Sequence, residues 1–193
     1  MLGLKLPTDP RWVNIVEKNI GEILTDHAWC EQKAASNAIS LIVKYPQHAE
    51  LVRAMVEISR EEMEHFGMVQ QKILERGLEL GRERPDPYVH DLIAYIRRGG
   101  KPEEVLVDRL LFAAMIEARS CERFRLLSQE INDEDLRQFY HELMVSEANH
   151  YTTFISFART LGRDVDVDTR WEEFLEYEGK IIKNYGTKET IHG

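Results

Sequence analysis

Four glutamates and two histidines sit on helical stripes that should otherwise be apolar. Leu51, Met55, Ile58, Val69 and Ile73 recur at helical spacing, and Glu62 and His65 fall on the same stripe. Leu136, Tyr140, Leu143, Phe154, Phe157 and Leu161 make a second stripe, interrupted by Glu147 and His150. A third, with Leu24, His27, Ala28, Ala34, Ala35, Ala38 and Ile42, has Glu31 at its centre. A fourth, with Leu106, Leu110, Ala113, Cys121 and Phe124, has Glu117 in the middle. Burying a lone carboxylate costs several kcal/mol unless something positive compensates it, and no Lys or Arg shares these stripes. A pair of divalent metal ions would satisfy all six groups.

The spacing supports that chemistry. Glu31 to Glu62 is 31 residues and Glu117 to Glu147 is 30, the interval expected when the arms of a helical hairpin meet at mid-height. Three residues is almost one helical turn, so the Glu and His of each Glu-x-x-His project the same way. One Glu from each of two helices and a Glu-x-x-His from each of two more is the ligand set of di-iron and di-manganese carboxylate proteins. Carboxylate with imidazole suits iron or manganese better than zinc, which takes fewer ligands and often thiolate. With 7 histidines in 193 residues, chance alone supplies about one Glu-x-x-His pair. A single pair is therefore uninformative, and a third one, Glu189 with His192 near the end of the sequence, is assigned to chance. Two pairs, each about 30 residues after an inward Glu, are informative.

The elements that must position these residues are punctuated by Pro and Gly. After Pro7 and Pro10 comes a short helical pattern, then a long helix over about 19–44, ended by Pro46, and a second over about 47–80. Residues 81–102, GRERPDPYVHDLIAYIRRGGKP, form a crossover with room for a short helix over about 88–97. A third long helix starts at Pro102, with Glu103 and Glu104 complementing its dipole, and lasts to about 131. NDED caps a fourth, which runs to about 161 and is closed by Gly162. A shorter fifth follows, and the last residues read as frayed. Nothing alternates with period two over a useful length. Hairpin, long crossover, hairpin is the layout of an all-α, ferritin-like four-helix bundle with additional short helices, expected here as a single domain over 1–193.

Composition excludes several classes of function. The chain is 43% hydrophobic and 31% charged, with a net charge of −9 that argues against wholesale wrapping by nucleic acid. No apolar run reaches the ~20 residues that span a bilayer, and MLGLKLPTDPRW lacks the layout of a secretory signal. Cys30 and Cys121 form no CxxC pair and read as reduced thiols of a cytoplasmic protein. Glu57, Glu61 and Glu64 read as a solvated face, and Glu122 as a surface group or one just outside the ligand set. His27, one turn before Glu31, reads as a satisfied core histidine, with support of Glu31 as the other option. Basic residues gather at Arg97, Arg98 and Lys101, at Lys180, Lys183 and Lys188, and around Glu117 at Arg119, Arg123 and Arg125; such clusters are more often solvated surface than binding sites.

DHAWCEQKAA around Glu31, SREEMEHF around Glu62 and His65, IEARSCERF around Glu117 and SEANHYTTFISFAR around Glu147 and His150 resemble a known family over essentially the whole chain. The family is that of the tRNA 2-methylthio-isopentenyladenosine hydroxylases, the MiaE-type enzymes. The ligand skeleton is shared with the whole ferritin-like superfamily; the words around it, EARSCERF above all, narrow the match. The resemblance implies a non-haem di-iron monooxygenase with two iron ions per chain and O2 as co-substrate. It would hydroxylate the isopentenyl group of a hypermodified adenosine beside the tRNA anticodon, with electrons from an external reductase. Arg97, Arg98 and Lys101 are the candidate tRNA contacts. Two other readings stay open: a ferritin-like di-iron oxidant scavenger or ferroxidase, and a non-catalytic helical interaction module.

Overall fold

The computed structural model describes residues 2–185 and 190–192. Among the described residues are seven α-helices and no strand: α1 (Trp12–Lys18), α2 (Ile20–Lys44), α3 (Ala49–Glu75), α4 (Pro87–Ile93), α5 (Pro102–Glu130), α6 (Glu134–Leu161) and α7 (Val167–Ile181), the last followed by a 3-10 turn (Ile182–Asn184). Lys188 and Glu189, singled out above, lie outside the described residues. The described residues divide into two compact units, one of residues 18–85 with 190–191, the other of residues 2–17, 86–185 and 192. No helix among the described residues is long and apolar enough to cross a membrane.

The first unit is the α2/α3 hairpin and the chain that follows it. The buried positions of α3 are Leu51, Met55, Ile58, Glu62, His65, Val69 and Ile73, the stripe read from the sequence with its two polar members included. Its opposite face is solvated, with Glu57, Glu61 and Glu64 exposed. α3 is shorter than the expected 47–80. It stops at Glu75 because Gly77 turns left-handed (φ 66°), which lets Gly77 N–H donate to Leu74 O and Leu78 N–H to Ile73 O. That pair of bonds satisfies carbonyls the last turn would otherwise leave open. The chain then returns along α2, where Trp29 Nε1–H donates to Gly81 O at 2.9 Å and Lys33 Nζ to Arg84 O at 3.0 Å.

The second unit is built round α5. Pro102 fits the first turn, and the Glu104 carboxylate accepts from the Lys101 backbone N–H at 3.0 Å. α5 packs on α6 along its length, and α4 and α7 also contact it. It is therefore buried on more than one side: Val107, Leu111, Ala114 and Ala118 are as covered as the expected stripe of Leu106, Leu110, Ala113, Cys121 and Phe124. α6 is capped by Asp133, which accepts from Leu136 N–H at 3.0 Å. It closes at Gly162 as expected, but for a steric reason. The φ there is an ordinary −87°, and a Cβ would stand 2.5 Å from Val107 Cγ2. Phe157 and Leu161, expected on its inner stripe, are half-buried, and Ile155 and Ala158 are buried in their place.

Two charged networks run through this second unit. Asp108, fully buried, accepts from Arg97 (backbone N–H 2.9 Å, Nε 3.0 Å, Nη2 2.6 Å) and from Arg170 (Nε 2.9 Å, Nη2 2.9 Å). Burial pushes its carboxyl up, but the hydrogen bonds from Arg97 and Arg170 outweigh this and hold it below the usual range. Arg119, also fully buried, donates to Glu178 Oε1 from Nε at 3.0 Å and from Nη2 at 2.5 Å, to Glu122 Oε2 at 3.3 Å and to Leu6 O at 3.1 and 3.2 Å. Thr8 donates to Glu122 through both N–H and Oγ1, and Tyr88 OH to Glu178 at 3.2 Å. Arg123 is buried too, its guanidinium 4.3 Å from the centre of the Trp12 ring. The surface reading of Arg119, Arg123 and Glu122 is thus corrected: their charges are internal because α7 and the N-terminal segment cover that side of α5.

Candidate metal centre

Each unit buries one half of the expected ligand set. In the α2/α3 hairpin, Glu31 is 4% exposed, Glu62 0% and His65 8%. Glu31 and Glu62 come from facing helices, and His65 follows Glu62 by almost one turn. His65 Nδ1 stands 3.7 Å from Glu31 Oε2 and 3.7 Å from Glu62 Oε2, so both carboxylates and the ring converge on one spot. On the far side of Glu31, its other oxygen Oε1 meets His27 Nε2 at 2.6 Å, with His27 wholly buried. His27 is therefore more than a core histidine. It grips a candidate ligand.

The α5/α6 hairpin repeats the pattern. Glu117 on α5 and Glu147 and His150 on α6 are all buried, and His150 Nδ1 stands 3.7 Å from Glu147 Oε2. Cys121, one turn beyond Glu117, is no ligand in character. Burial first and then the charge of Glu147 push its thiol up to about 12, and Sγ points at Met144 O. It packs as a small apolar group.

The donor chemistry of each half fits a hard-to-borderline divalent ion such as iron: two carboxylates and one imidazole, with no thiolate ligand. The charges are held by helices rather than loops, so the groups are positioned before any ion arrives. Burial of this much carboxylate is costly on its own and is rational in a protein whose charges a cation offsets.

Of the candidate tRNA contacts, Arg98 and Lys101 are exposed in the crossover. Arg97 is 32% exposed at its side chain and is committed to Asp108 and to Glu104 O. Among the other basic residues, Lys180 and Lys183 are exposed and Arg125 is half-buried, donating to Gln129. His192 departs from the frayed tail expected at the end of the sequence. It is buried, with Nε2 3.0 Å from Ser120 Oγ and Nδ1 3.2 Å from Asp86 Oδ2. Nothing in the local sequence signals this, since its partners are 72 and 106 residues away.

The helical fold and two buried Glu/Glu/His sets define a ferritin-like protein whose side chains are compatible with iron binding. Known proteins narrow the class. The family described as tRNA-(MS[2]IO[6]A)-hydroxylase (MiaE) matches residues 2–193. The chain is 39% identical over 181 residues to the tRNA 2-(methylsulfanyl)-N(6)-isopentenyladenosine(37) hydroxylase of Pseudomonas putida, covering 94% of this chain and 87% of that one. It is 28% identical to the protein of the same name from Salmonella typhimurium, covering 93% of this chain and 83% of that one. Among solved structures, a protein from Synechococcus with aldehyde deformylating oxygenase activity superposes with a TM-score of 0.89 at 34% identity, over 98% of this chain and 95% of that chain. The chain belongs to the MiaE family of tRNA hydroxylases. Its fold class is the ferritin-like four-helix bundle with a long crossover and additional short helices.

Proposed function

We propose that the two Glu/His sets belong to one centre that holds two iron ions per chain, with residues 1–193 acting as a single domain. Glu31, Glu62 and His65 would serve from α2/α3, and Glu117, Glu147 and His150 from α5/α6. The observation that carries this reading is repetition: each hairpin buries the same three groups, with a histidine Nδ1 3.7 Å from the carboxylate of its own Glu-x-x-His. The chain is an enzyme of tRNA modification, in line with its family. Its substrate is the isopentenyl group of 2-methylthio-isopentenyladenosine next to the anticodon, the nucleoside named for its curated relatives. Bound iron supplies the oxygen-activating redox chemistry that hydroxylation of a methyl group needs, with O2 as co-substrate.

The rest is the work of the chain. The six side chains fix the ion positions, and their burial keeps bulk water from the reacting group. The substrate base leaves its stack to reach a centre this deep, and one C–H bond is then held close to it. Arg98 and Lys101 offer positive charge to the anticodon arm, and Arg97 anchors their loop on Asp108 while adding its own. An external reductase supplies electrons, and the protein works in the cytoplasm, where tRNA is modified.

The deciding experiment incubates reduced, iron-loaded protein with labelled O2 and tRNA carrying the isopentenyl nucleoside, followed by mass spectrometry of the digested nucleosides. One labelled oxygen per modified base is expected, and Glu147→Ala should empty or cripple at least one iron position and abolish the product. Unlabelled tRNA with rapid peroxide consumption would instead favour the oxidant scavenger. Since the Synechococcus neighbour is named for an activity on aldehydes, an aldehyde is the second substrate to include. Turnover of it with untouched tRNA would overturn the proposal.

A further inference from the structure

We propose that Arg170 is a positioning residue for tRNA: from α7 it holds the crossover turn, residues 94–101, that presents Arg98 and Lys101 to the anticodon arm. The inference rests on the docking reading above. Both side chains are exposed. Elsewhere on the surface Arg11, Arg53, Arg60 and Arg159 are each taken up by a carboxylate at 2.5–3.0 Å. Among the described residues no carboxylate takes up Arg98 or Lys101. Such cations suit a phosphate backbone, and a turn that is already held presents them without the ordering cost a loose one would meet.

The hold consists of one carboxylate and one guanidinium beneath the turn. Asp108, on α5 and 0% exposed, accepts the backbone N–H of Arg97 at 2.9 Å. That bond fixes the chain itself, and Arg98 is the next residue along it. Arg170 donates to each oxygen of Asp108 at 2.9 Å, and its Nη2 also reaches Tyr95 O at 3.1 Å. Its guanidinium lies 4.5 Å from the centre of the Tyr95 ring, and that ring stacks on Tyr177 of α7 with centroids 4.1 Å apart. α7 thus grips the turn at Tyr95 and, through Asp108, at Arg97. Gly100 then takes a left-handed φ of 105° and leads the chain into Pro102 and α5. With its side chain 13% exposed and committed to these partners, Arg170 acts through the turn and not on phosphate itself.

Arg170→Gln tests this, and in that variant Asp108 keeps Arg97 as its counter-charge. Should Gln lower the helix content, Arg170→Lys carries the test: it keeps a charge beside Asp108 but loses the planar fork that serves Asp108 and Tyr95 together. Binding of tRNA carrying the isopentenyl nucleoside is followed by fluorescence anisotropy across a salt series, for each variant alone and combined with Arg98→Ala/Lys101→Ala. The paired alanine variant should bind more weakly and reduce the salt slope by about 2, one for each lost phosphate contact. Alone, Arg170→Gln should weaken binding about tenfold, because two long side chains then have to be ordered on docking. In the paired alanine background it should weaken binding no further. The loss in turnover should fall on KM for tRNA and not on kcat, and iron uptake should match wild type. A tenfold loss that persists in the alanine background, no loss in either background, or a parallel fall in iron uptake would overturn the inference and leave the docking reading standing. If the paired alanine variant binds tRNA as wild type does, the docking reading falls and takes this one with it. A raised KM for the reductase in that variant would then give the turn to that partner.

Discussion

The α2/α3 and α5/α6 hairpins carry the same three candidate ligands, two Glu and one His, with the glutamates 31 and 30 residues apart, yet they are held by different means. α2 and α3 bury one stripe each and leave Ile39, Val43, Val56, Met63, Met68 and Leu74 exposed on their outer faces. In α5 and α6, Val145 is the exposed large hydrophobic residue among those described. α5 is covered by further helices, and charge is buried along with it, in Arg119–Glu178 and in Asp108 between two arginines. The same trio of buried Glu, Glu and His thus stands once on an amphipathic hairpin and once inside a unit braced by ion pairs. The lesson is that the candidate ligand set occupies mid-helix positions only, and the rest of each hairpin is free to find its own stability.

The strongest way to break that contrast is to remove a brace. Glu178→Ala leaves Arg119 buried without its main counter-charge, and breaking such a pair costs about 3–5 kcal/mol. Urea unfolding should show a loss of that size, and a loss under 1 kcal/mol would mean that charge does not brace α5. Metal comes next. If both hairpins contribute to one centre, iron stabilises them together by about 2.7 kcal/mol at 100 times its dissociation constant. Chelation should then lower the melting temperature of the whole protein, and Glu117→Gln should raise that of the stripped form by relieving carboxylate repulsion. An unchanged melting curve on chelation would separate the two hairpins for good.

The smallest effect expected is the acid response of Asp108. Its carboxyl titrates below the ordinary 3.8 when folded, because Arg97 and Arg170 overcome the effect of burial. The stability it confers is fully present above the unfolded pKa and is lost as pH falls through the lower folded one. Asp108→Asn should cost about 2 kcal/mol near neutrality, from hydrogen bonds to charged groups. It should also flatten the decline in stability below pH 3.8. Measuring chemical denaturation across that range checks both, and an undiminished acid slope would assign the loss to other carboxylates.

The parts legible in the sequence were those whose signal is local. Proline, glycine and acidic caps marked the ends of α2, α5 and α6, and the stripe of α3 named all seven of its buried positions, Glu62 and His65 among them. The candidate ligands stood out because a carboxylate on an apolar stripe is anomalous within a single helix. What stayed hidden depended on distance. Arg119 read as a surface charge because its partner Glu178 lies 59 residues further on, and nothing in EARSCERF tells an arginine from its buried state. The grip of His27 on Glu31 was legible as an option, since both share a face, but one sequence cannot tell a hydrogen bond from packing. Gly77 was present in the sequence as a stop for α3, and the continuing apolar spacing of Leu78 and Leu80 obscured it.

Arg119 reaches past its carboxylates to the carbonyl of Leu6, and Thr8 closes on Glu122 beside it. Those early residues lie outside every helix. Here they are part of the interior wiring of α5. Trimming them would delete no large core hydrophobe from the bundle and yet strip hydrogen bonds from two buried charges at once. An engineer who shortens this amino-terminal stretch, or threads a cleavage site through it, is therefore editing the core of the protein from its surface.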